Sequence, residues 1–229
     1  MGISAQELID RARQRADFQG NPFLNDVAEL LPWCRESYKE LWDLMISAYG
    51  EDYLVAQSVL AVPPQGAGTI EISTIDPPFY KAVAFIRLVN GIGSVLRRFN
   101  LQDQALDTNR YSWGDRIDLY YRITGNSIFF QPVPNATESV VLLYIPQATL
   151  DAVNEEIDPS AEPWAEYIVI DLAIKMRRKE QSDTADLMLE KEAMKQRIIQ
   201  MATPRDAASP QRVIDVRTDE VIPSWCWDI

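Results

Sequence analysis

The stretch Ile117–Ile145, IDLYYRITGNSIFFQPVPNATESVVLLYI, decides the fold class of this 229-residue chain. In its first part apolar residues alternate with polar ones, which is typical of a strand with one buried face. Turn residues follow at Thr124–Asn126 and again over Pro132–Ala136. The stretch therefore predicts a meander of three antiparallel strands, the last of them over Val140–Ile145.

Two more strand pairs are predicted upstream of this stretch. The first pair joins Tyr53–Val62 to a returning strand over Thr69–Ser73, through the proline- and glycine-rich turn Pro63–Gly68. Ile70 and Ile72 face inward in this interpretation, because the returning strand alternates apolar and polar residues.

The second pair is indicated by Asn90-Gly91, which lies between the apolar segments Val83–Val89 and Val95–Phe99. Both central residues of a type I′ turn need positive φ, so Asn-Gly is the strongest short signal for a hairpin. Residues Asp103–Asp115 follow as a predicted surface loop.

An amphipathic helix is predicted near the start of the chain, over Ala5–Phe18. Ser4 and Glu7 form a capping box, in which side chains bond to the free backbone N–H groups of the first turn. Its apolar stripe consists of Leu8, Ile9, Ala12 and Ala16.

A second helix is predicted to end at Tyr49, before Gly50. It begins either near Asn25 or at Pro32, whose ring suits the first helical position. Pro32 therefore either starts this helix or kinks it. The residues that recur at spacings of three and four on its apolar face are Leu30, Trp33, Ser37, Leu41, Leu44 and Met45.

Two further helices are predicted after the strands. One runs from Pro163 to Arg178, and the next is capped by Ser182-Asp183. The two helices form either a helical hairpin or a single bent rod. The apolar face predicted for the second one consists of Ala185, Met188, Leu189, Ala193, Met194 and Ile198.

These elements predict an α+β fold. Residues 1–50 and 151–202 form a helical bundle, and residues 51–150 form a central antiparallel β-rich region. Residues 203–229 have no helical or strand period and form an extended C-terminal arm.

The arm is unusually apolar for a segment without a period. Because it carries two tryptophans and several aliphatic side chains, it needs a surface to lie on. It either packs back on its own domain or binds another subunit. The candidate interface residues are Val213, Val216, Ile222, Trp225 and Trp227.

The composition disfavours several classes of function. The chain has no histidine, so the commonest metal ligand and catalytic base is missing, and we predict no enzymatic activity, no metal and no cofactor. A net charge of −12 disfavours a surface that grips nucleic acid. No apolar run is long enough to span a bilayer, and the residues after Met1 do not form a signal peptide, so we expect folding in the cytoplasm.

The charged residues are unevenly placed. Arg97 and Arg98, near Arg87 and Arg110, form the main basic concentration, which is either a solvated sheet face or an ion-pairing interface. The acidic segment from Glu155 to Glu166 leads into a helix, where negative charge favours the helix dipole. Cys34 and Cys226 form no metal-ligand spacing and are interpreted as reduced thiols.

The order of these parts resembles the head-to-tail adaptor, or connector, proteins of tailed bacteriophages. The resemblance covers about residues 25–217. It depends on the arrangement of early helices, antiparallel strands and late helices more than on any single motif. The segments that carry it are Asp76–Tyr80, Leu96–Asn100, Tyr121–Pro134, Leu143–Pro146, Trp164–Ile168 and Arg177–Asp183.

The resemblance implies a structural protein of the virion neck. Such a protein forms a ring of neighbouring copies, twelve-fold in that family, which binds the portal protein and a downstream tail, stopper or nozzle protein. Genomic DNA passes through its lumen without specific binding. The alternative is another neck or tail-completion protein that docks on a virion component without forming the conduit.

Overall fold

The computed structural model describes residues 2–18, 25–63, 68–89, 92–99, 112–113, 116–117, 119–131 and 138–202. Within them the chain has the predicted α+β fold. The α-helices are α1 (Ala5–Ala16), α2 (Leu31–Tyr49), α3 (Ala165–Lys179) and α4 (Ala185–Met201). The strands are β1 (Ala56–Val62), β2 (Thr69–Glu71), β3 (Phe79–Val89), β4 (Ile92–Val95), β5 (Arg97–Arg98), β6 (Ser112–Trp113), β7 (Arg116–Ile117), β8 (Tyr120–Thr124), β9 (Ser127–Gln131) and β10 (Glu138–Pro146).

The helix α1 begins as its capping residue predicts. Ser4 Oγ accepts a hydrogen bond from the backbone N–H of Glu7 at 3.3 Å. The helix ends at Ala16, two residues before the predicted end, because Asp17 takes a left-handed φ of 65°. The backbone N–H of Phe18 then bonds back to the carbonyl of Arg13 at 2.8 Å and closes the helix.

The two interpretations of the start of α2 each describe part of the structure. Asn25 Oδ1 accepts the N–H groups of Val27 and Ala28 at 3.0 and 3.1 Å, and a π-helical turn follows over Asp26–Leu30. Regular α-helix begins at Leu31 with Pro32 in its first turn. Pro32 fits there because the N–H that it lacks would have no partner within the helix.

Two four-stranded sheets and a two-stranded sheet of β6 and β7 form the described part of the β-rich region. The first sheet has the strand order β1-β10-β3-β4, and the second has the order β2-β9-β8-β5. The pairs are antiparallel except for β5 and β8, which run parallel. The predicted hairpin at Asn90-Gly91 is confirmed in position, since Val89 pairs with Ile92, but its second strand begins at Ile92 instead of Val95.

The predicted three-stranded meander is wrong in its third strand. The hairpin of β8 and β9 forms as expected, with Gly125 at φ 58° in its turn. β10, however, leaves this sheet and lies between β1 and β3 of the first sheet. Its Val140–Ile145 run is buried except for the half-buried Leu143, as is typical of a strand at the centre of a sheet.

The predicted hairpin of β1 and β2 is also wrong. β2 pairs with β9 of the second sheet, in a register that places Ile70 opposite Ile128. The strand ends at Glu71, and Ile72 begins a 3₁₀ turn instead of continuing it. The turn residues after Val62 indicate that the chain bends, but they do not encode which strand its next segment pairs with.

Two hydrophobic cores lie on opposite faces of the first sheet. The first core, between the helices and one face of the sheet, contains Ile145 of β10. The second core, between the two sheets, contains Leu142 and Tyr144 of the same strand. Phe85 of the first sheet contacts Tyr121 of the second, with ring centroids 4.0 Å apart. β10 is therefore shared by both cores.

The last two helices form a hairpin, not a bent rod. Gln181 takes a positive φ of 58° between them, and Arg177 of α3 forms an ion pair of 3.0 Å with Asp186 of α4. The predicted apolar face of α4 is partly wrong, because Met188 and Leu189 are exposed. The side of α4 that meets the bundle consists of Leu187, Lys191, Met194 and Ile198.

Candidate functional site

A polar cluster joins α2, α3 and α4 inside the helical bundle. Its centre is Asp171 of α3, whose side chain is 8% exposed. Lys191 Nζ lies 2.8 Å from Asp171 Oδ1, and Lys175 Nζ lies 3.1 Å from Oδ2. Ser37 Oγ donates to the same Oδ2 at 2.5 Å. Lys191 also donates to both carboxylate oxygens of Glu40, at 2.8 and 2.9 Å.

The electrostatics of this cluster favour its charged forms. Burial would raise the pKa of Asp171, but hydrogen bonds from Lys191 and Ser37 outweigh it and hold this pKa below its usual value. Burial would lower the pKa of Lys191, but its bonds to Asp171 and Glu40 raise it. A protonated lysine is not a nucleophile. The cluster therefore acts as a buried ion-pair network.

A surface cavity of about 260 Å³ opens beside the cluster. Tyr167 lies in its wall and donates its hydroxyl to Glu40 at 2.7 Å. Burial and this hydrogen bond raise the pKa of Tyr167, so the phenol stays protonated. Because Lys191 of its wall is paired with both Glu40 and Asp171, this side of the cavity holds α4 against α2 and α3.

The outer side of α4 is the first candidate interaction surface. Only Leu187 and Ile198 are buried along its 17 residues. On that side its exposed large apolar residues are Leu189 at 75%, Met188 at 46% and Ile199 at 45%. Met201, at 58%, instead continues the stripe of Met194 and Ile198 at the end of the helix. An exposed group of this kind at the edge of a bundle is typical of a protein contact.

The structure places two of the predicted interface residues, Arg97 and Arg98, in β5. Both are exposed, and neither forms an ion pair with a residue in the described ranges. Arg87 differs from them, because it pairs with Glu138 at 2.7 Å and is partly buried. The exposure of Arg97 and Arg98 fits both a solvated sheet face and an ion-pairing interface.

The other predicted interface residues lie outside the described residues. They are Val213, Val216, Ile222, Trp225 and Trp227. Arg110, Cys226 and most of the predicted loop over Asp103–Asp115 also lie outside them.

Carboxylates of the acidic segment before α3 make local contacts. Glu155 accepts the backbone N–H of Asp151, and of Ala152 at 3.3 Å. Glu166, in the first turn of α3, forms an ion pair with Arg15 of α1. These contacts fix the approach of the chain to α3.

Sequence reasoning missed the inward position of Lys191 and the network around Asp171. A lysine is ordinarily assigned to the solvent face, and no local pattern indicates a buried partner on another helix. The nearest signal was the lysine itself, midway along a stripe that otherwise contains Leu187, Met194 and Ile198.

Within the described ranges, no helix is both long enough and apolar enough to cross a membrane. The same ranges contain no group of three or more cysteine, aspartate or glutamate side chains that could hold a metal ion. A comparison with known protein families and with curated proteins finds no match for this chain.

Proposed function

We propose that this chain is a structural virion protein, a head-to-tail adaptor that forms a ring between the portal and the tail. The ring surrounds the channel through which genomic DNA passes. The order of helices and strands resembles that of head-to-tail adaptors. The structural observation that supports the proposal is the exposed apolar side of α4. A ring requires a surface that meets a neighbouring copy.

The composition of the outer side of α4 supports contact between copies of this chain. Leu189, Met188 and Ile199 provide exposed apolar area, and Glu192 and Lys195 place both signs of charge beside them. Two such surfaces can meet without net repulsion, because each offers partners for the charges of the other. The ion pairs of Lys191 and Arg177 hold α4 in place for this contact.

The charge distribution supports a channel that DNA does not adhere to. The chain carries a net charge of −12. Many of its cations are already engaged within the fold, in the pairs Arg15–Glu166, Arg35–Asp151, Lys81–Glu51, Arg87–Glu138 and Lys179–Glu29. We therefore expect neutral or acidic side chains to line the lumen.

The second candidate is a neck or tail-completion protein that docks on a virion component without forming the conduit. The same exposed side of α4 favours it, since one docking contact needs no ring. The two functions differ in where the protein lies relative to the channel.

The test is electron microscopy of particles that contain the full chain or its Leu189→Asp variant. We expect a ring of density around the channel beneath the portal, with no belt of arginine and lysine facing the lumen. L189D should reduce incorporation at least ten-fold without unfolding the subunit, because it places charge in the contact between copies. The matched control is Lys39→Asp on the exposed face of α2.

Density beside the channel that does not encircle it would favour the second candidate. Absence of the protein from the neck, or normal incorporation of L189D, would overturn the proposed ring contact.

A further inference from the structure

A row of apolar side chains crosses the face of the first sheet that is turned away from the second sheet. We call it the apolar row. Val59, Val141, Ile86 and Val95 are direct partners in successive strands, so their side chains lie on one face. The two ends of this apolar row, Val59 and Val95, are 63% and 69% exposed, whereas Val141 between them is 7% exposed and Ile86 is half-buried. Toward Ile145 the same face is covered by the helices. The apolar row belongs to the part of the face that the first core does not cover.

A pair of exposed cations adjoins one end of the apolar row. Arg97 and Arg98 follow Val95 after one residue, where the chain passes from β4 at the edge of the first sheet to β5 of the second. Val95 and Arg97 line one surface cavity of about 270 Å³. Neither arginine has an ion-pair partner in the part of the chain that the structure describes. An apolar surface with a cationic rim suits a segment that is both apolar and acidic.

Residues 219–229 of this chain have that composition. The segment reads DEVIPSWCWDI and contains three acidic residues and no lysine or arginine. Trp225 and Trp227 are suitable anchors, because each can bury roughly 150–250 Å². Asp219 and Glu220 precede the apolar residues and can reach the cationic rim.

The course of α4 brings this segment close to the sheet. α3 is antiparallel to α2, because Lys179 pairs with Glu29 and Tyr167 with Glu40. α4 is antiparallel to α3, because Asp186 pairs with Arg177 and Lys191 with Asp171, so α4 runs in the same direction as α2. The end of α4 at Met201 therefore lies at the end of the bundle where α2 leads into β1. Residues 203–218 can span up to roughly 50 Å when extended, which exceeds the length of any strand in the sheet.

We propose that residues 219–229 bind across the apolar row of the protein's own first sheet in the unassembled subunit. Trp225 and Trp227 pack along the apolar row between Val59 and Val95, and the acidic residues lie at the rim formed by Arg97 and Arg98. The connection through residues 203–218 gives the segment an effective concentration on the order of millimolar, which favours its own sheet over that of another copy. This inference goes beyond the proposed function and does not depend on it.

The full chain offers a direct test by disulfide trapping, because Cys226 lies inside the segment. Cys34 is fully buried, and burial, offset only in part by Lys175, raises its pKa to about 12, so it stays unreactive. A disulfide requires Cα atoms within about 7 Å. We expect V95C and V59C, under mild oxidation at low micromolar protein, to form an intrachain bond to Cys226. Peptide mapping and non-reducing gels detect it.

The control is Lys39→Cys on the exposed face of α2, which should give at least ten-fold less of the bond. Circular dichroism checks that each variant is folded. A yield at V95C and V59C no greater than that of K39C would overturn the proposal. Disulfide-linked dimers in place of the intrachain bond would overturn it too, since the apolar row would then hold the segment of another copy.

The cationic rim is tested in the V95C protein by adding R97E and R98E together. The yield of the intrachain bond should fall several-fold, and it should fall in the parent V95C protein as salt is raised, because the charges are exposed and screened. An unchanged yield in both measurements would contradict the assignment of Asp219 and Glu220 to this rim.

Discussion

The half-buried Lys191 shows how a buried carboxylate, Asp171, fixes the position of its charged partner. It lies four residues after Leu187 and seven before Ile198, on the side of α4 that meets the bundle. An unpaired ammonium group there would be strongly destabilising, but Asp171 and Glu40 both lie within 3 Å of it. Lys191 therefore aligns α4 with α2 and α3 as well as neutralising Asp171.

Asp171→Asn should lower the free energy of unfolding by about 2–4 kcal/mol at pH 7, because it removes the charge that Lys175 and Lys191 share. Urea denaturation measures this change. The folded-state pKa of Asp171 is lowered from 3.8, so its stabilisation is present above that value and lost as pH falls through the folded-state pKa. D171N should remove this part of the acid sensitivity.

The matched control for D171N is Asp186→Asn, which changes an exposed partner of Arg177. Its hydrogen bonds also lower the pKa of Asp186, but the group lies at the surface and its loss should have little effect on stability. Equal effects of D171N and D186N would contradict the central role of the buried cluster.

At the scale of elements, α4 differs most from its prediction. Its apolar residues fall on two sides, so a search for one apolar stripe selects Met188 and Leu189 together with Ile198. In the structure the side of α4 with Leu187 and Ile198 packs against the bundle, because this orientation also brings Lys191 to Asp171. The remaining apolar residues stay on the surface.

Leu187→Ala and Leu189→Ala separate the two sides of α4. L187A should cost about 2–4 kcal/mol of stability, since a buried leucine leaves a cavity. L189A should stay within about 0.5 kcal/mol, since Leu189 is 75% exposed. Chemical denaturation compares the two directly, and a larger loss for L189A would show that the opposite side faces the bundle.

At the scale of the whole molecule, β10 couples the two cores. Ile145 enters the first core, whereas Leu142 and Tyr144 enter the second. Trp42 of α2 also donates its indole N–H to the carbonyl of Pro146, at 3.0 Å. Loss of either core therefore exposes one face of the strand that supports the other.

We expect one cooperative unfolding transition for the described part of the chain. Phe130→Ala in the second core should shift the tryptophan fluorescence transition, to which Trp42 and Trp164 of the first core contribute. Leu41→Ala in the first core should shift the same transition. Circular dichroism and tryptophan fluorescence should give coincident curves, and two separate transitions would contradict this coupling.

The sequence by itself determined the α+β class, the positions of the four α-helices and two of the hairpin turns. These features depend on local chemistry: a capping side chain at Ser4, apolar spacings of three and four, turn-forming residues between the paired Val89 and Ile92, and a turn at Gly125. For the candidate surfaces, sequence reasoning singled out Arg97 and Arg98, while the arm residues stay predictions.

Only the tertiary structure decided which strands pair. β2 and β10 each belong to a different sheet from the one that their neighbours in sequence predicted. Strand pairing depends on which distant segments can bury both faces of β10 at once, and no local pattern carries that information. For the same reason the inward position of Lys191 and the apolar row from Val59 to Val95 become visible only in the fold.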